Sequence, residues 1–160
     1  MTHSINFLTL VLPFLVWGCQ EPTQSSDFSI EEDTKKVKEI LKVIDDLGKN
    51  MDATMSVFSD ELVHMAQGSR AITNKAELRK VLEAESSYGK TMMTHEIISL
   101  HSYHDLVLTR GRVKGTWTPP GGAAIPFETN NMITFRRMGD GSLKVWHVIF
   151  NRVSLENYKE

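Results

Sequence analysis

The second half of the chain restricts its fold more than any other feature, because β-favouring runs alternate there with strong turn signals. Residues 119–122 read Pro-Pro-Gly-Gly, and residues 138–141 read Met-Gly-Asp-Gly, whose Asp-Gly pair favours a type I′ hairpin turn. Short turns of this kind join neighbouring antiparallel strands, so the region predicts an antiparallel meander. Its predicted strands are Met92–His101, Leu106–Trp117, Phe127–Arg137 and Leu143–Arg152.

Helices are predicted ahead of this meander. Ser29 is a candidate N-cap, and apolar residues at helical spacing follow from Val37 to Leu47. Asn74 and Glu77 form a capping-box pattern at the start of a later helix. Helices followed by a meander indicate one α+β domain. The other predicted elements are a helix at 51–58, a strand at 62–66 with a returning segment at 70–73, and a helix at 75–86.

An apolar run from Phe7 to Trp17 ends just before the single cysteine of the chain, Cys19. The run is too short to span a bilayer, which takes about 20 residues, and has the length of the apolar part of an export signal. Residues 16–19 resemble the bacterial lipobox, with Trp17 as a bulky departure from its pattern. That resemblance implies a lipid-anchored envelope protein, acylated on Cys19 and attached to the membrane only through its lipid. Gln20 then indicates the outer membrane, on the periplasmic side, in a Gram-negative cell.

Composition and charge limit the partners of the chain. Its 160 residues carry a net charge of -2 with scattered basic residues, so nucleic-acid binding is not expected. The sequence predicts a signal peptide at 1–18, an acylated cysteine and flexible linker at 19–28, and one folded domain at 29–160. His95 and His101 share a strand face but lie about 20 Å apart, so neither a metal site nor a cofactor is expected.

Two stretches resemble the nuclear transport factor 2-like superfamily. Residues 56–82 follow its pattern of an acidic pair, a short hairpin and a helix. Residues 115–151 resemble its SnoaL-like, ketosteroid-isomerase-like branch, with a Thr-Pro-Pro-Gly-Gly turn and an Asp-Gly-Ser turn. Leu143 stands where the branch usually has Trp, and Val148 where an acidic residue is common. The resemblance implies a cone-shaped, curved antiparallel sheet closed by three N-terminal helices, an apolar cavity, and a homodimer through the convex face of the sheet.

Three residues are candidates for catalysis: Asp60, His64 and His147. Asp60 would abstract a proton α to a carbonyl if it lay in a dry pocket, or would cap a turn at the surface. His64 would act as a base or hydrogen-bond donor if its strand face lines the cavity, or would face solvent. Strict alternation along the last strand places His147 on one face with Val145 and Asn151, as cavity groups or as structural residues.

The ligand-binding candidates come from aromatic and polar positions of the same elements. An inward Arg112 would bind a carboxylate or enolate oxygen, whereas an outward one would be exposed. Both faces of the last strand are largely apolar, which favours one face covered by helices and the other by a partner. The ligand-binding candidates are Phe58, Arg112, Trp117, Asn131 and Asn151.

Three functions remain open from the sequence. The first is a lipid-anchored module that binds a small, largely apolar molecule in the cone. The second is an isomerase, dehydratase or cyclase without a metal, in which Asp60 or His64 is the base. Its oxyanion donor would be one of Arg112, Asn131 and His147. The third is a dimerisation or assembly domain that holds no ligand. Members of the superfamily differ widely in function, so the resemblance does not decide among these.

Overall fold

The structure, a computed structural model, describes residues 29–153 and contains three helices and five strands in that part of the chain. The predicted export signal, Cys19 and the linker lie outside the described residues. Between residues 29 and 153, no helix has the length and apolar character needed to cross a membrane. The elements are α1 (Ile30–Asp45), α2 (Met51–Ser56), β1 (Phe58–Ala66), α3 (Lys75–Tyr88), β2 (Lys90–Ser102), β3 (Leu106–Thr118), β4 (Ile125–Arg137) and β5 (Leu143–Arg152).

The order of helices and strands follows the sequence prediction, and capping side chains explain where two helices begin. The Asn74 side chain accepts a hydrogen bond of 2.8 Å from the backbone N–H of Glu77, at the start of α3. Ser29 accepts one of 3.4 Å from the backbone N–H of Glu32, at the start of α1. Each cap satisfies a backbone donor that the first helical turn leaves unpaired, which favours a helix start at that position.

The first strand is longer than predicted and does not form a hairpin. β1 begins at Phe58, because this residue already pairs with Val145 of β5. The expected return at 70–73 is reduced to one bridge, between His64 and Ile72. The main partner of β1 is therefore β5, which is distant in sequence, rather than the segment that directly follows β1.

The five strands form one sheet in the order β1-β5-β4-β3-β2. The strands β2, β3, β4 and β5 pair antiparallel, as predicted, whereas β1 pairs parallel to β5. The predicted α+β class is confirmed, but the sheet is mixed rather than purely antiparallel, and it is open, with β1 and β2 at its edges. The parallel pair is possible because α3 and three strands lie between β1 and β5 in the chain, and parallel strands need a long connection.

The helices cover one face of the sheet, which we call the inner face, and the opposite face is the outer face. On the inner face α1 lies against β2, and α3 lies against β1. Their apolar side chains form one core with those of the strands. Burial of this area is the main stabilising term for such a domain. Core members with at most 1% of their surface exposed are Val37, Leu62, Leu78, Val107, Phe135 and Val145.

A bulge in β5 reverses the alternation of its side chains. Val145 and His147 pair with consecutive residues of β4, so that Trp146 between them is an extra residue. Beyond the bulge, Phe150 lies on the inner face, whereas His147 and Asn151 lie on the outer face. The expectation that His147 and Asn151 share the face of Val145 was therefore wrong, because one extra residue moves every later side chain to the other face.

A second bulge lies in β2, between Ile97 and Ser99. It leaves His95 on the inner face, opposite Val113, and turns His101 to the outer face. The expectation that the two histidines share one face was therefore also wrong. The physical reason is the same as in β5, since alternation predicts faces only while every residue has one partner on the next strand.

A buried ion pair attaches the start of α1 to the end of β4. Asp33 accepts hydrogen bonds from both terminal nitrogens of Arg137, at 2.9 and 2.8 Å, and another from the Ser102 hydroxyl. Only 2% of the Asp33 side chain and 6% of the Arg137 side chain are exposed. Burial opposes ionisation of Asp33, but the hydrogen bonds and the charge of Arg137 outweigh it and lower the pKa of the carboxyl group. The pair thus holds α1 in place in its ionised form.

Candidate functional site

Asn131 occupies the middle of the inner face. It lies on the central strand β4, between Gly111 of β3 and Phe150 of β5, and 6% of its surface is exposed. Its side-chain nitrogen forms no hydrogen bond with any residue that the structure describes. A buried N–H group without an acceptor costs about 1–3 kcal/mol, so native proteins keep few of them. This amide is therefore a group that a buried ligand oxygen would satisfy.

Gly111 makes room for the amide. A Cβ atom at residue 111 would lie 2.6 Å from the carbonyl oxygen of Glu96 and 2.8 Å from the side-chain oxygen of Asn131. Both distances are too short for a real side chain, so glycine allows the close approach. The oxygen end of the Asn131 amide consequently lies against β3, and its nitrogen end is the one left without a partner.

His64 faces the same side of the sheet from the edge strand β1. It pairs in register with Val148, and its ring meets that of Phe150 edge to face, with centroids 5.3 Å apart. Burial lowers the pKa of His64, which favours the neutral imidazole near pH 7. His64 and Asn131 lie two strands apart and two residues out of register, so their Cα atoms are roughly 12 Å apart. A ligand of one or two rings would therefore contact both, with Phe150 between them, and we call these three residues the inner-face cluster.

The structure places three other candidates away from this cluster. Asp60 has 91% of its side chain exposed and forms a surface ion pair with Lys75 at 3.2 Å. Phe58 is a core residue with 6% of its surface exposed. Trp117 is half-buried on the inner face but lies six residues along β3 from Gly111, about 20 Å. Asp60 is thus outside any dry pocket, and Trp117 is too distant to contact a small ligand bound at Asn131.

Three further candidates lie on the outer face. Arg112 has its Nε 3.0 Å from Glu128 Oε1, as an ion pair whose N–H direction does not meet hydrogen-bond geometry. His147 stacks on Trp146 at the bulge of β5, with ring centroids 4.0 Å apart. Asn151 is exposed. The sheet itself separates these three residues from the inner-face cluster.

A hydrogen-bonded pair between α1 and β2 was not predicted from the sequence. Oδ1 of Asp45 lies 2.6 Å from Nδ1 of His95, and both residues line a groove of about 180 Å³. A second cavity, of about 270 Å³, lies between α1 and the start of β5. None of the site residues predicted from the sequence lines either cavity. Within residues 29–153, no group of three or more His, Cys, Asp or Glu side chains is arranged to hold a metal ion. The pair has no local signal, because its members meet only in the folded chain.

The described domain has an α+β fold of the nuclear transport factor 2-like, cystatin-like kind. A ketosteroid isomerase-like protein from Erwinia carotovora atroseptica superposes with a TM-score of 0.68 at 21% identity, over 79% of this chain and 99% of that one. A conserved protein from Planctomyces limnophilus superposes with a TM-score of 0.69 at 15% identity, over 77% of this chain and 98% of that one. An NTF2-like protein with a cystatin-like fold from Novosphingobium aromaticivorans gives a TM-score of 0.66 at 14% identity, over 78% and 84% of the two chains.

Identities this low establish the fold and leave the function open. No family model matches the chain, and no curated protein matches it by sequence.

Proposed function

We propose that the chain is an exported, lipid-anchored envelope protein whose domain binds a small, largely apolar molecule at the inner-face cluster. The observation that carries the ligand proposal is the buried nitrogen of Asn131, which offers one hydrogen bond in a largely apolar surrounding. Phe150 supplies an aromatic surface, and His64 adds a neutral ring beside it. A flat apolar molecule with one carbonyl oxygen matches these groups.

Nile red, an uncharged flat dye with one carbonyl group, tests this proposal in a fluorescence titration. We expect saturable binding to the full chain and at least about tenfold weaker binding to Asn131→Leu, equivalent to about 1.4 kcal/mol. Leu has the same branched framework of side-chain heavy atoms as Asn and lacks the donor. The matched control is Asn130→Leu, which changes the neighbouring exposed residue on the outer face. Equal affinity of the wild type and Asn131→Leu, or an equal loss in both variants, would contradict the proposal.

His64 favours a second function at the same place, proton transfer of the isomerase type. A neutral imidazole would take the α-proton of a β,γ-unsaturated ketone and return it to the γ-carbon, giving the conjugated ketone. Asn131 would donate its N–H to the enolate oxygen. A protein of similar fold is described as ketosteroid isomerase-like.

The ultraviolet absorbance of the conjugated ketone measures this activity. We expect turnover to fall at least about 100-fold in His64→Gln, the usual contribution of a general base. The control is His101→Gln on the outer face of β2, which should leave turnover unchanged. A wild-type protein that binds the ketone without converting it would contradict the isomerase proposal and leave the binding proposal intact.

The lipid anchor is proposed from Cys19 and the apolar run before it. Mass spectrometry of the membrane fraction should find a mature protein that begins at Cys19 and carries acyl chains, since more than one chain gives stable anchoring. The Cys19→Ser variant should lose the acyl mass. A mature N-terminus elsewhere, or no acyl mass on the wild type, would contradict the anchor.

We also propose that two copies pair through the outer face. Ile149 and Met132 lie directly opposite each other there, and 48% and 46% of their surfaces are exposed. Ile98 adds an apolar side chain from β2, with 41% of its surface exposed. Arg110 of β3 stands between Met132 and β2 on this face, so the apolar pair of Met132 and Ile149 carries the proposal, because exposed apolar side chains on a face without helices favour contact with a partner.

A further inference from the structure

A groove of about 180 Å³ runs between α1 and the edge strand β2. None of the three residues of the inner-face cluster lines it. Its α1 side consists of positions 38, 41, 42 and 45, which the helical repeat places on one face. The lining residues are Lys38, Leu41, Lys42, Asp45, His95 and Ile97.

The polar end of this groove is a histidine held by a carboxylate. Oδ1 of Asp45 lies 2.6 Å from Nδ1 of His95, and its Oδ2 accepts a hydrogen bond of 3.2 Å from the backbone N–H of His95. An ionised carboxylate only accepts, so this network assigns the Nδ1 proton to His95 and leaves Nε2 as the nitrogen without a partner among the described residues. Only 9% of the His95 side chain is exposed. The ring is therefore fixed in orientation at the groove.

Two lysines bring positive charge to the same groove. Lys38 and Lys42 lie one helical turn apart, and neither forms an ion pair with a residue between 29 and 153. Like charges at this spacing repel each other. Asp45 is the carboxylate that lines the groove, and both of its oxygens already contact His95. The groove therefore presents three nitrogen groups and carries a net positive charge.

We propose that this groove binds a small oxyanion, a phosphate or carboxylate group, between Lys38, Lys42 and His95. The oxygens of the anion accept hydrogen bonds from the two ammonium groups. When Nε2 of His95 carries a proton it donates a third hydrogen bond to the anion, and the contact of Nδ1 with Asp45 holds the ring in the orientation for it. The groove is smaller than the roughly 300–1,000 Å³ of sites for drug-sized molecules. The ligand is therefore a small ion or the anionic end of a larger molecule.

A nuclear magnetic resonance titration of the full chain, labelled with ¹⁵N-histidine, tests this site. Sodium phosphate is added in one series and sodium acetate in another, at constant pH and at an ionic strength held constant with sodium chloride. We expect the Nε2 signal of His95 to shift in a saturable way, with half-saturation near about 1 mM. The series with the lower half-saturation concentration identifies phosphate or carboxylate as the preferred group.

Exposed lysines provide the matched variants. Lys38→Ala combined with Lys42→Ala should raise the half-saturation concentration at least about tenfold. Lys80→Ala combined with Lys90→Ala removes the same charge from exposed positions outside the groove and should leave it unchanged. The melting temperature of both variants verifies folding, and phosphate should raise that of the wild type. A shift that never saturates in either series, or an equal loss in both variants, would overturn the proposal, because general ionic screening would then explain the response.

Discussion

Asn131 is a residue at which stability and binding should oppose each other. Its side-chain nitrogen is buried without a hydrogen-bond partner, which destabilises the folded chain, and a bound ligand would remove this penalty. Asn131→Leu should therefore raise the free energy of unfolding of the ligand-free chain by about 1 kcal/mol while it weakens dye binding. Urea denaturation without ligand measures this change.

Asn130→Leu serves as the control for the same experiment. This exposed residue on the outer face should change the free energy of unfolding very little. If Asn131→Leu instead destabilises the chain, the amide supports the fold, and the reason for assigning it to a ligand disappears.

His64 should make the stability of the domain depend on pH. Its pKa is lowered by burial, so between its ordinary value of about 6.5 and the lowered value the unfolded chain binds a proton that the folded chain does not. The contribution of His64 to the free energy of unfolding should be complete above about pH 6.5. It should decrease as the pH falls below that value. His64→Gln should remove this part of the decrease.

Urea denaturation at several pH values measures the effect. The difference in unfolding free energy between the wild type and His64→Gln should shrink as the pH falls below about 6.5. The exposed His101→Gln variant should retain the decrease that His64 produces. Parallel pH profiles for the wild type and His64→Gln would show that burial of this imidazole has no energetic consequence.

At the scale of elements, the ion pair between Asp33 and Arg137 sets the position of α1. Asp33→Asn leaves the Arg137 charge buried without its counter-charge, so the free energy of unfolding should fall by about 3–5 kcal/mol. The combination of Asp33→Leu with Arg137→Met should recover most of this loss, because apolar side chains pack there without a desolvation penalty. Chemical denaturation near neutral pH measures both variants.

An exposed ion pair provides the control for the buried pair of Asp33 and Arg137. Asp52→Asn breaks an ion pair with Arg79 whose side chains are 86% and 37% exposed, and it should change stability little. A double variant at 33 and 137 as unstable as Asp33→Asn would indicate that hydrogen-bond geometry, rather than an unpaired charge, fixes α1 on the sheet.

Much of the fold is predictable from the sequence because its signals are local. The Asn74 cap acts within a few residues of itself, and β5 begins and ends where its pattern indicates. The Asp-Gly signal marks the turn correctly, but the expected type I′ geometry was wrong, because Asp140 does not have a positive φ and only Gly141 does in this turn. The bulge at Trp146 is not predictable in this way, because it depends on which residues of β4 are opposite. The pairing of Asp45 with His95 likewise depends on how α1 lies on β2.

The candidate site is predictable only in part for the same reason. Asn131 and His64 are identified as polar residues on strands, and unbroken alternation correctly relates His64 to its neighbours in β1. Alternation misplaces His147, and it does not reveal that the Asn131 nitrogen lacks a partner. A missing hydrogen bond is a property of the whole environment, so a sequence pattern cannot contain it.

At the scale of the whole molecule, the outer face should control association. Met132→Lys replaces the apolar partner of Ile149 with a second charge beside Arg110, so it should convert a dimer into a monomer. Light scattering after size-exclusion chromatography measures the mass. The control is Tyr88→Lys, which changes an exposed aromatic residue at the end of α3 and should leave the dimer intact. A wild-type chain that is already monomeric at high concentration would exclude this interface.

The position of β5 between β1 and β4 has a consequence for how the chain is made and transported. The last of the five strands in the sequence is an interior strand, so β1 cannot join the other strands of the sheet until β5 is available. Contacts between such distant segments form slowly, because closing a long loop costs entropy before pairing repays it. A ribosome-bound or partly translocated chain would therefore lack the complete sheet. For a protein that we propose is exported, late completion of the sheet would preserve an extended chain that can be threaded through a secretion channel.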